Sequence, residues 1–353
     1  MKPLPPLAEI DRLLIVKTSS IGDVIHALPV VQAIKAARPG LTLGWVVRRR
    51  CADVLRGNPD IDHLYVTENK PSLGELMRLR RELHTVQYQM ALDMQGLLLS
   101  GVVTRLSGAP VRIGWDRNRE GNALFLTHPI VSGKAADVVR HEVDLLYGFA
   151  EVLGVQIEHS EFAPQPYLSE EGREWAETRL VGLSRPGIAL NVGASRAYKR
   201  WPAERWAVVA DALASQGHGL VFVGDKNDAE IVQAVKRQMK NAGRALDLSG
   251  QTNLRQLAAV LEACDLLASA DTGPMHLAVA VGTPVVAVFG ATDPHRHGPY
   301  GARNVVLHKP VPGMMQGGKR PTDEAGTACL AAISPDDVLT AIDAKLSKMK
   351  LYA

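Results

Sequence analysis

Cysteine is scarce in this chain: three among 353 residues, Cys51, Cys264 and Cys329, far apart and odd in number. That excludes a disulfide framework and the paired spacing of a structural zinc site, and it points to a reducing compartment. No run approaches the eighteen or so consecutive apolar residues of a transmembrane helix. The opening Met1-Lys-Pro-Leu-Pro-Pro6 has no apolar core and no cleavage pattern, so no signal peptide is expected and the cytoplasm is the expected location. The excess of positive charge is only +3, too weak to imply nucleic acid, yet compatible with acidic ligands or an anionic membrane surface. The chain lacks G-x-G-x-x-G after its first strand and lacks G-x-x-x-x-G-K-S/T, so neither a dinucleotide fold nor a phosphate-loop NTPase is signalled. It also lacks short repeats. What remains is ordinary for a soluble globular protein, 46 % hydrophobic and 22 % charged residues, long enough for two domains.

The chain alternates strand and helix. Arg12-Leu-Leu-Ile-Val-Lys17 is a continuous apolar run, read as a buried strand, and Thr18-Ser-Ser-Ile-Gly22 is a small-residue loop. A helical pattern begins at Asp23, with Pro29 in its early part, where proline can kink a helix. Strands are expected at 41–47, 63–66, 89–93 and 111–115, with helices at 51–56, 73–83, 97–106 and 137–153. Residues 154–186, with Pro164, Pro166 and Pro186, are less regular and hold the expected linker. The alternation restarts with strands at 187–192, 219–223, 245–248, 265–269 and 284–289, and helices at 204–215, 228–239 and 254–263. Residues 309–327 read as a long surface loop, and 334–350 as a last helix capped by Ser334 with Pro335 in its first turn. Such alternation argues for parallel sheets covered on both faces.

The most informative stretch is Ser269-Ala-Asp-Thr-Gly-Pro-Met-His-Leu-Ala278, between two buried strands. Gly273 and Pro274 mark a turn opening a helix, and free amides at a helix N-terminus suit an anion such as a phosphate. Asn191-Val-Gly-Ala-Ser195 follows another strand and leads into Arg196, Lys199 and Arg200, which read either as a phosphate-binding set or as a solvated charge cluster. Asp225, Asp228 and Glu230 follow the strand at 219–223; they suit ribose hydroxyls or plain helix capping. In the first loop Asp23 is either a helix cap or a general base. Asp293, His295 and His297 lack a third convincing metal ligand, and His276 reads as a hydrogen-bond donor near the anion. Arg48, Arg49, Arg50, Arg56, Arg117, Arg119 and Arg140 would bind an anionic acceptor if they converged.

Leu-Ile-Val-Lys-Thr-Ser-Ser-Ile-Gly-Asp-Val-Ile-His-Ala-Leu-Pro (14–29) closely resembles the opening of the bacterial lipopolysaccharide heptosyltransferases, glycosyltransferase family 9. So do residues 269–278, Phe-Gly-Ala-Thr-Asp-Pro (289–294), Gly-Pro-Tyr-Gly (298–301), Asp93-Met-Gln-Gly96, and Trp201-Pro202 after Lys199. The resemblance implies an α/β GT-B fold, two facing Rossmann-like domains with a cleft between them. It places an acceptor domain at 1–165, a linker at 166–186, a nucleotide-sugar donor domain at 187–333, and a final helix at 334–353 packing back toward the first domain. It implies inverting transfer of L-glycero-D-manno-heptose from ADP-heptose to lipid-linked Kdo or heptose of the inner core. No metal or other cofactor is implied. From the mildly basic charge, transient electrostatic contact with the cytoplasmic face of the inner membrane is expected. Asp23 resembles the family's catalytic base, Lys199 its phosphate-binding lysine, and Asp271, Thr272, Gly273 and His276 its donor motif. Asp228 or Glu230 matches the ribose carboxylate; Ser20, Gly22 and Arg119 are candidate acceptor contacts. The loop 309–327 and the arginines 48–50 depart from the family pattern. They leave open another nucleotide-sugar or glycan acceptor. The rival of another class is a nucleotide-sugar-binding protein without turnover, and intact Asp23, Lys199 and Asp271-Thr-Gly-x-x-His276 argue against it.

Overall fold

A computed structural model describes residues 3–116, 119–130, 140–157, 168–311 and 322–350, with the side chains of Arg119 and Lys350 outside the description. The chain divides into two compact units, Met1–Tyr167 and Leu168–Ala353.

The first unit contains β1 (Arg12–Val16), α1 (Ile21–Ala37), β2 (Thr42–Arg48), α2 (Arg49–Ala52), β3 (His63–Thr67) and α3 (Leu73–Val86). It continues through β4 (Met90–Asp93), α4 (Leu98–Leu106), β5 (Val111–Trp115), β6 (His128–Ile130) and α5 (Glu142–Glu151). Its six strands form one sheet in the order β3-β2-β1-β4-β5-β6, every pair parallel. β1 lies at the centre, and Leu13, Leu14, Ile15 and Val16 are all fully buried. That explains its unbroken apolar sequence: a central parallel strand is covered on both faces and has no polar side to display.

The second unit opens with α6 (Glu170–Leu180), β7 (Gly187–Asn191), α7 (Ala203–Ser215), β8 (Gly219–Phe222), α8 (Ala229–Gln238), β9 (Ala245–Asp247) and α9 (Leu254–Ala263). It goes on with β10 (Leu266–Ala270), α10 (Gly273–Ala280), β11 (Val285–Phe289), α11 (Pro294–His297), β12 (Val305–His308), α12 (Asp323–Ala331) and α13 (Pro335–Lys350). The sheet order is β12-β11-β10-β7-β8-β9, again all parallel. Numbered within its own unit, this is the same 3-2-1-4-5-6 order as the first sheet, the Rossmann arrangement. Trp201 and Trp206 meet edge to face at 5.0 Å in its core, and the Trp201 indole N–H donates to the Ile333 carbonyl at 3.2 Å. This bond ties the turn before α13 to the region of α7, against which α13 packs together with β11 and β12.

Several elements differ from the expected ones. The stretch read as part of a linker, 168–186, carries α6, capped by Ser169, packed on α9 and joined to it by a bidentate Arg173–Glu262 pair at 2.9 Å. The end of the loop expected at 309–327 is the start of α12; its residues 312–321 lie outside the described set. α1 starts at Ile21 and runs through Pro29. The helix expected at 51–56 is the single turn α2, and that expected at 137–153 begins at Glu142, with 131–139 outside the described residues. Among the described residues no helix is long and apolar enough to cross a membrane.

Candidate active site

In a sheet of this order the chain leaves the two central strands toward opposite faces, which opens a crevice beyond their carboxyl ends. In the first unit those strands are β1 and β4. Ser20 and Asp23 close a capping box on α1: Asp23 Oδ2 accepts from the Ser20 amide at 2.7 Å and from its hydroxyl at 2.8 Å. Asp23 is half-buried. The capping role and a catalytic role are thus compatible, because the cap fixes where the carboxylate stands. Gly22 is buried in the first turn of α1. Lys17, at the end of β1, is buried and donates to the Met94 carbonyl at 3.1 Å. From the β4 side, Gln95 Oε1 accepts from the amides of Thr18 (2.9 Å) and Ser19 (3.0 Å) and from the Thr18 hydroxyl (3.3 Å). Asp93 is fully buried; burial pushes its carboxyl above the usual range, while the amides of Gly96 and Gln95 pull the other way.

The arginines do not all converge. Arg48 donates to the Ser19 hydroxyl at 3.3 Å, beside the Asp23 loop. Arg49 pairs with Glu68 at 2.6 Å and Arg56 with Asp53 at 2.9 Å, both on the surface. Arg140 is exposed. Arg117 and the side chain of Arg119 lie outside the described residues.

In the second unit the central strands are β7 and β10. Asn191, buried at the end of β7, donates to Ser269 Oγ at 3.1 Å and to Thr272 Oγ1 at 2.5 Å. Those bonds link the ends of the two central strands and hold Thr272, the N-cap of α10. Gly273 is the first residue of α10, followed by Pro274. The Lys199 ammonium meets Asp271 Oδ2 at 2.7 Å, with the carboxylate side chain 6 % exposed and the lysine 22 %. One side of this crevice therefore presents a cation, a helix N-terminus and a hydroxyl together. His276 is buried in the first turns of α10.

Asp228 stands against the end of β7: a Cβ on Gly193 would meet its Cγ and Oδ1. Its Oδ2 accepts from the Asp225 amide at 2.9 Å, and burial pushes its carboxyl up. Glu230 is exposed on α8. Of the two carboxylates, Asp228 is the one at the strand ends. Arg200 Nε donates to the Ala194 carbonyl at 2.7 Å, and Arg196 is exposed. Asp293 caps α11 by accepting from the His295 amide at 2.9 Å.

What sequence reasoning missed is mostly support. Gln95 and Asn191 stand in stretches the sequence singles out, Asp93–Gly96 and Asn191–Ser195, yet the long-range hydrogen bonds they make were not read from them. Two glycines seat the turn that carries Lys199. A Cβ on Gly290 would stand 2.7 Å from the Tyr198 carbonyl oxygen, and one on Gly326 would overlap Tyr198 Cβ and lie 2.7 Å from its Cα. Backbone against backbone leaves no flexible side chain to yield. Gly326→Ala is expected to cost about 1–3 kcal/mol of stability through overpacking. Gly243→Ala, with nothing within 4 Å of the new methyl, is the control. Thermal unfolding checks both; equal unfolding temperatures for the two variants would refute the close seating of Gly326 on Tyr198.

The family model described as glycosyltransferase family 9 (heptosyltransferase) matches residues 76–320. Lipopolysaccharide core heptosyltransferase OpsX of Haemophilus influenzae is 29 % identical, covering 82 % of this chain and 81 % of that protein. Lipopolysaccharide heptosyltransferase 1 of Escherichia coli K12 is 28 % identical, covering 85 % and 94 %. Among solved structures, a glycosyl transferase family 9 protein from Veillonella parvula superposes with a TM-score of 0.82 at 26 % identity, covering 96 % of this chain and 97 % of that one. The E. coli heptosyltransferase WaaC with ADP-2-deoxy-2-fluoro heptose gives 0.71 at 25 %, covering 94 % and 99 %. With two parallel six-stranded sheets of Rossmann order, the motifs at the ends of β1 and β10, and a family match across most of its length, this chain has the GT-B fold class and belongs to glycosyltransferase family 9, the heptosyltransferases.

Proposed function

We propose that the enzyme transfers L-glycero-D-manno-heptose from ADP-heptose to a Kdo or heptose residue of the lipopolysaccharide inner core, with inversion and without a metal. The observation that carries the donor side is the Lys199–Asp271 pair beside the N-cap of α10. Asp271 orients the ammonium, and the helix N-terminus adds partial positive charge where a departing diphosphate gains negative charge. WaaC, solved with an ADP-heptose analogue, supports this donor, and the names of OpsX and heptosyltransferase 1 support a lipopolysaccharide acceptor. Asp228 takes the ribose hydroxyls.

On the acceptor side Asp23 is the general base. It takes the proton of the acceptor hydroxyl as that oxygen bonds to the anomeric carbon. The bond from that carbon to the ADP oxygen breaks in the same step, and ADP leaves with the electron pair. This is the single displacement of inverting glycoside chemistry, with a sugar hydroxyl in place of water. Ser20, Gly22 and Arg119 contact the acceptor. The lipid-linked acceptor places the reaction at the cytoplasmic face of the inner membrane, with transient electrostatic contact that high salt weakens.

The test is a transfer assay with ADP-heptose against Kdo-lipid A and against heptosylated core, with and without excess chelator. The product is identified by mass spectrometry and its anomeric configuration by NMR. The expected result is chelator-insensitive formation of an inverted heptoside. Retention would overturn the single displacement, chelator inhibition reversed by a divalent cation would overturn metal independence, and turnover only with another nucleotide-sugar would overturn the donor.

A further inference from the structure

Between the end of β1 at Val16 and the start of α1 at Ile21, the amides of Thr18 and Ser19 fall in a gap where neither sheet nor helix supplies a partner. One side-chain atom serves both: Gln95 Oε1 accepts from the Thr18 amide at 2.9 Å and the Ser19 amide at 3.0 Å, and from the Thr18 hydroxyl at 3.3 Å. The next residue, Ser20, donates twice to Asp23 Oδ2. One peptide link therefore separates Ser19, which Gln95 holds, from Ser20, which holds the Asp23 carboxylate. Gln95 is itself aimed by its neighbours. Its amide and that of Gly96 donate to buried Asp93 Oδ1 at 3.1 and 2.9 Å, and Gly96 adopts φ +68°, a conformation natural to glycine. The opposite side of the loop is held from β2, where the Arg48 amide donates to the Thr18 carbonyl at 3.0 Å and its guanidinium to the Ser19 hydroxyl.

We propose that Gln95 is a positioning residue for sugar transfer: through residues 18–20 it sets where the Asp23 carboxylate stands relative to the acceptor hydroxyl. This rests on the reading of Asp23 as the base. The role needs an acceptor atom and nothing else from the side chain, since all three groups facing Oε1 are donors. Glutamate has the same reach and supplies such an atom. Methionine has nearly the same length and supplies only a thioether, a weak acceptor.

The experiment compares Gln95→Met, Gln95→Glu and Asp23→Asn in the full chain, measuring kcat, donor KM, ADP affinity by calorimetry and thermal unfolding. A misplaced catalytic group commonly costs on the order of 10²-fold in rate, so Gln95→Met is expected to lose about 10- to 100-fold in kcat. Donor KM and ADP affinity stay within about twofold, because the donor groups lie in the other unit, and Gln95→Glu recovers most of the rate. A merely structural role would move all parameters with the unfolding temperature, or leave Glu as poor as Met, and either result would overturn the proposal. So would a near-wild-type kcat for Gln95→Met while Asp23→Asn is inactive. An active Asp23→Asn would remove the base itself, and this role with it. Should Gln95→Met fail to fold, Gln95→Asn poses the same question by drawing the oxygen back one methylene; a folded Gln95→Asn with undiminished kcat would refute the role.

Discussion

Asp23→Ala is expected to abolish transfer while leaving ADP binding within about twofold of wild type. Loss of a general base costs roughly 10²- to 10⁴-fold in rate. The difficulty is that Asp23 also caps α1, so truncation to alanine changes two things at once. Removing a capping side chain costs about 0.5–2 kcal/mol, a fraction of the roughly 5–15 kcal/mol that holds a typical domain together. Such a variant should remain folded. Asp23→Asn then separates the two roles. Asparagine keeps an oxygen that can accept from the Ser20 amide and hydroxyl, and it cannot take the acceptor proton. If capping were the whole function, Asn would restore turnover toward wild type. If Asp23 is the base, Ala and Asn are both inactive, and only Ala shows the lower unfolding temperature. Single-turnover assays with ADP-heptose, beside calorimetry with ADP, distinguish the outcomes.

The parts of the fold legible in the sequence are those where one local rule dominates. Strands β1, β7, β10 and β11 are buried along nearly their whole length, so each reads as a mainly apolar run without alternation. The elements missed obey weaker signals. In α6 only Gly172 and Ala176 are buried; the helix is held by its Ser169 cap and by Arg173 reaching Glu262, a contact far away in sequence. In α12 the buried residues include Ala325, Gly326 and Cys329, small enough that the segment reads as an extension of the glycine-rich stretch before it. The edge strands β6 and β12 have three and four residues, none of them buried, too short for a period to show. At the site, the residue types at the ends of β1 and β10 were readable because helix capping and helix N-termini are local physics. Their supports, Gln95 on residues 18–19 and Asn191 on Thr272, are tertiary hydrogen bonds across about eighty residues of chain; the sequence marks the stretches that hold both residues, and it is silent on their distant partners.

Lys199→Met is expected to weaken ADP binding by about 10- to 100-fold, equivalent to ~1.4–2.7 kcal/mol, and to slow turnover as well. The lysine neutralises a nearly buried carboxylate, and in the proposed reaction it also meets the diphosphate. Taking it away leaves Asp271 buried without its cation, a change that costs roughly 3–5 kcal/mol in a fully buried pair and less here, because Lys199 is partly exposed. A simple loss of ADP affinity could then reflect a distorted turn, and the double substitution Lys199→Met with Asp271→Asn decides. It removes the unpaired charge and so recovers most of the lost stability. It cannot recover ADP affinity if the ammonium itself holds the diphosphate. Stability and affinity should therefore part company in the double-mutant cycle: coupled in unfolding free energy, uncoupled in ADP binding. Recovery of both together would make Lys199 a structural partner of Asp271 and would leave the leaving group to the N-terminus of α10 alone.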